Sequence, residues 1–351
     1  MNYRLLVLLA ATLINACSTE STSEAPAAGP EDVSATFAAM LDEYYERNLE
    51  LSPTSATSIG DDRYDDKYAN SIGPEHRAAR HNLNMEYLGR LEAIDRDALS
   101  VQEQYSYDMF KLQREIALAG EQFPTHLAPL NQFYSATSSF VNLGSGSGLH
   151  PFKTVKNYDD FLGRIDGFVV YVDQAIANMK EGVQQGVTQP KVLMRKYVPQ
   201  VESQIVDSAE ESGFYTPVAN MPESFSDEDR ERLIAAYTDA IENKLIPAYS
   251  RIHNFMNDEY LAAARDSVGL LDLPNGEAWY AHNVRAITTT DLTPDEIHQI
   301  GLDEVARIHG EMRGVMDYIG FEGDLQDFFE YVYSDPEFFF DEPEQLIQRY
   351  R

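Results

Sequence analysis

The spacing of apolar residues constrains the fold of this chain most, because from Val33 onward it follows the helical period almost throughout. Phe37, Met40 and Leu41 recur at intervals of three and four residues, which places them on one face of a helix. The same spacing returns in later segments, and no composition shift after residue 33 marks a linker. We therefore predict a single, mostly helical body over residues 33–351.

Local signals subdivide this body. Ser100-Val-Gln-Glu103 and Thr293-Pro-Asp-Glu296 are capping boxes that predict helix starts, and Pro247 predicts a kink in a long helix. Between residues 123 and 156 the periodicity is lost, and prolines and the run Gly144-Ser-Gly-Ser-Gly148 take its place. This predicts a long irregular loop, and loops of such length in compact domains are more often functional than idle.

Composition excludes several classes of protein. The chain has 351 residues, with 27 Lys and Arg against 58 Asp and Glu and a formal charge of −31, so phosphate backbones are repelled and nucleic-acid binding is excluded. The mean hydropathy is −0.39, and no apolar run approaches the roughly 20 residues that cross a bilayer. A single cysteine forms neither an internal disulfide nor a thiolate zinc cluster.

Residues 1–17 have the pattern of an export signal. Arg4 precedes an apolar run that is long enough for a signal-peptide core and too short to span a membrane. Cys17 follows a small residue at the end of this run, which resembles the bacterial lipobox, where the cysteine carries the lipid. We predict a lipoprotein signal peptide with lipid attachment at Cys17. A cleaved secretory signal with an incidental cysteine stays open as the alternative.

Two consequences follow for location. Ser18, in place of aspartate after the cysteine, favours an outer-membrane lipoprotein that faces the periplasm or the cell surface and touches the membrane only through its lipid anchor. Residues 18–32 are mostly small or polar and include proline, so they predict a disordered tether between lipid and folded body.

Searches for catalytic patterns find none in this chain. A zinc hydrolase helix carries H-E-x-x-H, but no two of the eight histidines are four residues apart. Asp295 and His298 lie one turn apart, yet carboxylate-bridged metal sites need two such pairs and the chain has one. The run Gly144–Gly148 has glycine where the nucleophile of G-x-S-x-G belongs. We therefore assign no catalytic or metal residue.

The end of the sequence is unusual. Glu342-Pro343-Glu344 begins a helix with an apolar side, and the chain stops at Arg351 without a capping residue. We expect from this pattern that the chain is truncated. The aromatic residues between Phe328 and Phe340 are then expected to form an exposed apolar patch.

Several segments together resemble one protein family. Leu273-Pro-Asn-Gly-Glu277, Thr288-Thr-Thr290 and the segment from Leu292 to Leu302 closely resemble the DUF885 family. Its members are exported bacterial proteins, many of them lipoproteins, related to zinc metallopeptidases. The resemblance runs from about residue 35 to 351.

The resemblance implies a helical, cleft-forming, metallopeptidase-like fold, of which this chain is the N-terminal part. The family's H-E-x-x-P-G-H-H and E-G-W motifs match no position here. No catalytic or metal residue is therefore carried over. Zinc is expected only in the full-length parent, and this chain is expected to be inactive alone.

Two functional hypotheses remain open. In the first, the parent is an exported, lipid-anchored zinc peptidase acting on peptides, and this part supplies one wall of the cleft. Tyr280, Arg285 and His298 are then candidates for substrate contact, since a hydroxyl or a guanidinium holds a carbonyl or carboxylate. The alternative for two of them is that Tyr280 packs and Arg285 pairs with a surface acid. In the second hypothesis, the chain is a complete, non-catalytic helical lipoprotein that binds peptide or a partner protein.

Overall fold

Helices account for most of residues 30–351, the part of the chain that the computed structural model describes. Within this part there is no β-strand, and extended pairing is limited to an isolated bridge between Pro190 and Arg265. The prediction of one mostly helical body is confirmed. The predicted signal peptide, Cys17 and residues 18–29 of the predicted tether lie outside the described residues.

The N-terminal helices form a small core of their own. They are α1 (Pro30–Leu51), α2 (Pro53–Ser58), α3 (Pro74–Glu92) and α4 (Val101–Gly120). Phe37 of α1, Tyr87 of α3 and Phe110 of α4 are buried together. The predicted capping box is present, because the Ser100 hydroxyl accepts from the Glu103 amide and the Glu103 carboxylate accepts from the Ser100 amide.

The main core is built around one long helix. The helices of this region are α5 (Ala136–Gly144), α6 (Val155–Gln185), α7 (Lys191–Glu202), α8 (Thr216–Ala219), α9 (Asp227–Ala240), α10 (Ile246–Phe255) and α11 (Leu261–Ala263). Phe161, Phe168 and Val172 of α6 are fully buried in the largest hydrophobic cluster. Two π-helical segments, Ile241–Leu245 and Met256–Tyr260, join α9, α10 and α11. The first ends just before Pro247, which has no N–H for a regular helical bond.

The irregular segment predicted at 123–156 contains α5 and the short helical turn Thr125–Leu127, and α6 begins at its end with Val155. Phe140 anchors α5 in the main core, where its ring stacks on Phe168 with the centroids 4.0 Å apart. At Gly144, a Cβ atom would lie 2.3 Å from the Phe161 ring and 2.7 Å from the Phe214 ring. Gly144, the first residue of the glycine–serine run, is therefore a close-packing position against two aromatic rings.

The C-terminal helices expose much of their apolar surface. They are α12 (Gly276–Thr288), α13 (Pro294–Ile319), α14 (Leu325–Ser334) and α15 (Pro343–Tyr350). Thr293 and Glu296 form the capping box predicted for α13. Along α13 only Met316 is buried, whereas Val305 and Val315 are each 51% exposed. The aromatic residues Phe338, Phe339 and Phe340 are also about half exposed, as expected from the sequence.

A buried polar network fixes α6 to the segment after α2. Arg164 is fully buried, and its Nη2 lies 3.0 Å from Asp65 Oδ1. The same guanidinium donates to the Thr57 hydroxyl and, from Nη1, to His150 Nδ1 at 2.8 Å. The other ring nitrogen of His150 lies 2.8 Å from the Asn157 carbonyl. His150 is therefore neutral, with its proton on Nε2, where it donates to that carbonyl.

This network makes stability depend on pH. Burial, together with the neighbouring Arg164 charge, lowers the pKa of His150 below its usual value. Below about pH 6.5 the unfolded chain therefore takes up a proton that the folded chain resists. We expect the free energy of unfolding to fall as the pH drops through this range, by up to about 1.4 kcal/mol per pH unit for this group. Urea unfolding between pH 7.5 and 5 should show a shallower decline in His150→Gln than in the wild type. The exposed control His298→Gln should keep the wild-type slope, and an unchanged slope in His150→Gln would contradict the assignment.

Candidate functional site

A cleft of about 820 Å³ opens between α3, the end of α4, the turn Thr125–Leu127 and α6. Its volume lies within the range of small-ligand sites, which is about 300–1,000 Å³. Its lining brings four ionisable side chains of α3 together with His126 from the turn after α4 and Tyr171 from α6. It is therefore the candidate functional site.

Helix α3 supplies the titratable wall of the cleft. It begins at Pro74, where the missing N–H costs no helical bond. Its first turns carry His76 and Arg77, and Arg80 and His81 follow four residues later. Residues four apart share one side of a helix, so these side chains form two pairs along the cleft.

The first pair ties the wall to the end of α1. His76 Nε2 lies 2.8 Å from the Leu51 carbonyl, to which it donates. Arg80 Nη2 donates to the Ser52 hydroxyl at 2.8 Å, and its Nη1 donates to the side-chain carbonyl of Asn48. Burial lowers the pKa of Arg80. These bonds hold α3 in a fixed position relative to α1.

The second pair reaches across the cleft. Arg77 Nη1 donates to His126 Nδ1 at 3.1 Å, and His81 Nδ1 lies 2.6 Å from Glu121 Oε2. Burial lowers the pKa of His126, and the charge of Arg77 lowers it further, while Glu181 opposes this shift. His126 is therefore neutral at pH 7, accepts from Arg77 through Nδ1 and has its proton on Nε2.

The rest of the lining is mostly apolar. Tyr171 of α6 lines the cleft and is 6% exposed, and burial raises the pKa of its hydroxyl to about 12. The hydroxyl stays protonated and serves as a hydrogen-bond donor. Ile72, Ala117 and Phe123 line the rest of the space. Apolar walls with a few convergent donors suit a ligand that has an apolar body and an anionic or carbonyl end.

Helix α12 supports the far wall. Phe123 stacks on Trp279 with the ring centroids 5.7 Å apart, and the centroid of the His282 ring lies 5.2 Å from that of Phe123. At Gly120, a Cβ atom would come within 2.9 Å of His282 Nε2. This wall of the cleft therefore rests on the helix that begins within the segment Leu273–Glu277.

The residues predicted for substrate contact lie elsewhere. Tyr280 on α12 is 42% exposed, and His298 is exposed in the second turn of α13. Arg285 Nη1 lies 2.5 Å from the exposed Asp291 carboxylate. None of the three lines the cleft, and no hydrogen bond in the described part joins any two of them. Their roles remain predictions.

The sequence interpretation missed the residues that do line the cleft. The four-residue spacing of His76, Arg77, Arg80 and His81 was a readable signal of one polar helix side. No comparable spacing pointed to His126, because this residue belongs to the irregular segment after α4. Its contact with Arg77 arises only in the folded chain.

The described residues contain neither a metal-binding cluster nor a membrane-spanning helix. Among residues 30–351, no group of three or more His, Cys, Asp or Glu side chains is arranged to hold a metal ion. In the same part of the chain, no helix has the length and apolar character needed to cross a membrane.

These observations define, for residues 30–351, a mostly helical fold with a donor-rich cleft of ligand size. The chain belongs to the family DUF885, described as "Bacterial protein of unknown function", whose model matches residues 53–351. The resemblance noted in the sequence is thereby confirmed at the level of the family.

A solved structure has a similar fold. It is described as "the putative lipoprotein from Colwellia psychrerythraea" and matches with a TM-score of 0.75 at 19% sequence identity. The match covers 90% of this chain and 57% of that chain, so this chain spans little more than half of the length of the similar protein. At this identity the likeness shows the fold alone. None of the curated proteins matches this chain.

Proposed function

We propose that this chain is the peptide-binding part of an exported, lipid-anchored, peptidase-like protein. The observation that carries the proposal is the cleft, where apolar walls meet the donors of Arg77, His126 and Tyr171. A peptide presents carbonyl and carboxylate acceptors beside apolar side chains. Such a ligand satisfies donors and apolar walls together.

Lipid anchoring rests on the sequence before the described residues. Cys17 follows the apolar core of the export signal. The similar solved structure, which is described as a "putative lipoprotein", supports the proposal of lipid attachment. We propose that the protein is held by lipid at the outer membrane and that a tether places its cleft in the periplasm or at the surface.

Zinc enters the proposal only through the family resemblance. The described residues do not fit a zinc site, because none of their histidine and carboxylate groups is arranged for one. We therefore derive no chemical step through zinc, and we propose that the zinc ligands of a peptidase of this family lie outside residues 30–351. Less than 0.1 equivalent of zinc in the dialysed full chain agrees with this placement. Stoichiometric zinc that survives dialysis contradicts it.

The test of the proposal is peptide binding in the cleft. Fluorescence anisotropy of a labelled pentapeptide, with four alanines and a terminal phenylalanine, is measured against the full chain. Ala117→Trp fills the cleft from an exposed position of α4 and should weaken binding at least tenfold. Ala39→Trp places the same ring on an exposed position of α1 and should leave binding unchanged. Equal binding by both variants excludes the cleft as the peptide site.

A second candidate function is binding of a partner protein without catalysis. The exposed apolar side chains of α13 to α15, such as Ile300 and Ile347, favour it. Peptide binding that survives Ala117→Trp, together with loss of peptide binding in Ile300→Asp, would favour this candidate.

A further inference from the structure

We infer that the cleft binds the free C-terminal carboxylate of a peptide and that Arg77 is the residue that contacts it. The inference rests on the proposed peptide-binding function and adds the chemical group that the cleft recognises. It follows from the charge state of Arg77, from the donors around it and from the apolar walls next to it.

Among the described residues, Arg77 has no acidic partner for its positive charge. Many exposed arginines of this chain pair with a carboxylate, as Arg96 does with Asp108 at 2.6 Å and Arg232 with Asp159 at 2.7 Å. Within residues 30–351, the guanidinium of Arg77 instead contacts the neutral ring of His126. In a chain with a formal charge of −31, an exposed arginine left without a carboxylate is a ready partner for an external anion.

The groups around Arg77 also favour an anion. The Nε2 proton of His126 and the hydroxyl proton of Tyr171 make both groups donors, and neither forms a hydrogen bond from that atom within the described part of the chain. Glu121, the acidic residue of the lining, is engaged by His81, and Glu181, which is outside the lining, lies close enough to oppose the lowered pKa of His126. An incoming carboxylate therefore meets free donors and breaks no existing ion pair.

The apolar walls indicate a terminal carboxylate in particular. Ile72, Ala117 and Phe123 line the same space as Arg77. The last residue of a peptide carries its carboxylate and its side chain on one carbon, so one compact residue fills both the polar and the apolar part of the cleft. An acidic side chain would place its carboxylate at the end of a flexible stem and leave the apolar walls uncovered.

The test compares peptides that differ only at the terminus. The labelled pentapeptide of four alanines and a terminal phenylalanine is measured with a free carboxylate and as its amide, against the full chain. We expect the free acid to bind about tenfold or more tightly, as for a hydrogen-bonded charged group. Arg77→Gln should abolish this preference, whereas Arg195→Gln, which changes an exposed arginine of α7 outside the cleft, should keep it.

The remaining outcomes separate the two proposals. Equal binding of acid and amide to the wild type overturns the carboxylate inference and leaves peptide binding intact. An amidated peptide with an internal glutamate that binds as tightly as the free acid also overturns it, because a side-chain carboxylate then suffices. Failure of every peptide to bind overturns the inference together with the proposed function.

Discussion

Arg164→Met is expected to lower the free energy of unfolding by about 3–5 kcal/mol, because it leaves a buried carboxylate without its counter-charge. Arg164 is fully buried and Asp65 is 2% exposed at the side chain, with 3.0 Å between Nη2 and Oδ1. The substitution also removes the donors that bond Thr57 and His150. Guanidinium unfolding followed by circular dichroism gives the difference.

Two further variants show whether the charge is the cause. Arg232→Met breaks the pair with Asp159, in which both side chains are more than 40% exposed, and should cost at most about 1 kcal/mol. The double variant Arg164→Met with Asp65→Leu removes both buried charges and should be more stable than Arg164→Met alone. If the double variant is less stable than Arg164→Met, disrupted packing and not the unpaired charge explains the lost free energy of unfolding.

The features of the fold that the sequence predicts correctly are those formed by residues close together in the chain. The capping boxes at Ser100 and Thr293 each join residues three apart, so the sequence contains every group that forms them. The helix starts at α4 and α13 follow directly. Helix α5 was missed because its cause is distant, as its Phe140 packs on Phe168 of α6.

The cleft could not be predicted for the same reason. Arg77 and His126 are 49 positions apart, and Tyr171 lines the same cleft only because the folded chain brings α6 to it. The capping box correctly predicted where α13 begins, but helical spacing shows only which side of a helix is apolar and not what covers that side. The apolar side of α13 is largely exposed in the described part of the chain.

A glycine in α6 shows how such distant contacts place the cleft. At Gly182, a Cβ atom would lie 2.6 Å from the backbone oxygens of both Leu127 and Val187. Leu127 belongs to the turn that carries His126. The missing side chain therefore lets this turn rest directly on α6 and sets the position of His126 opposite Arg77.

Gly182→Ala is expected to destabilise the fold by about 1–3 kcal/mol, since two backbone segments must move to admit one methyl group. It should also weaken binding of the labelled pentapeptide, because the turn with His126 shifts. Gly89→Ala makes the same chemical change within α3, where nothing lies within 4 Å of the added atom, and should stabilise by about 0.5–1 kcal/mol. Opposite signs in thermal unfolding and a binding loss confined to Gly182→Ala support this account. Stabilisation by both changes would show that the turn and α6 are not held in close contact.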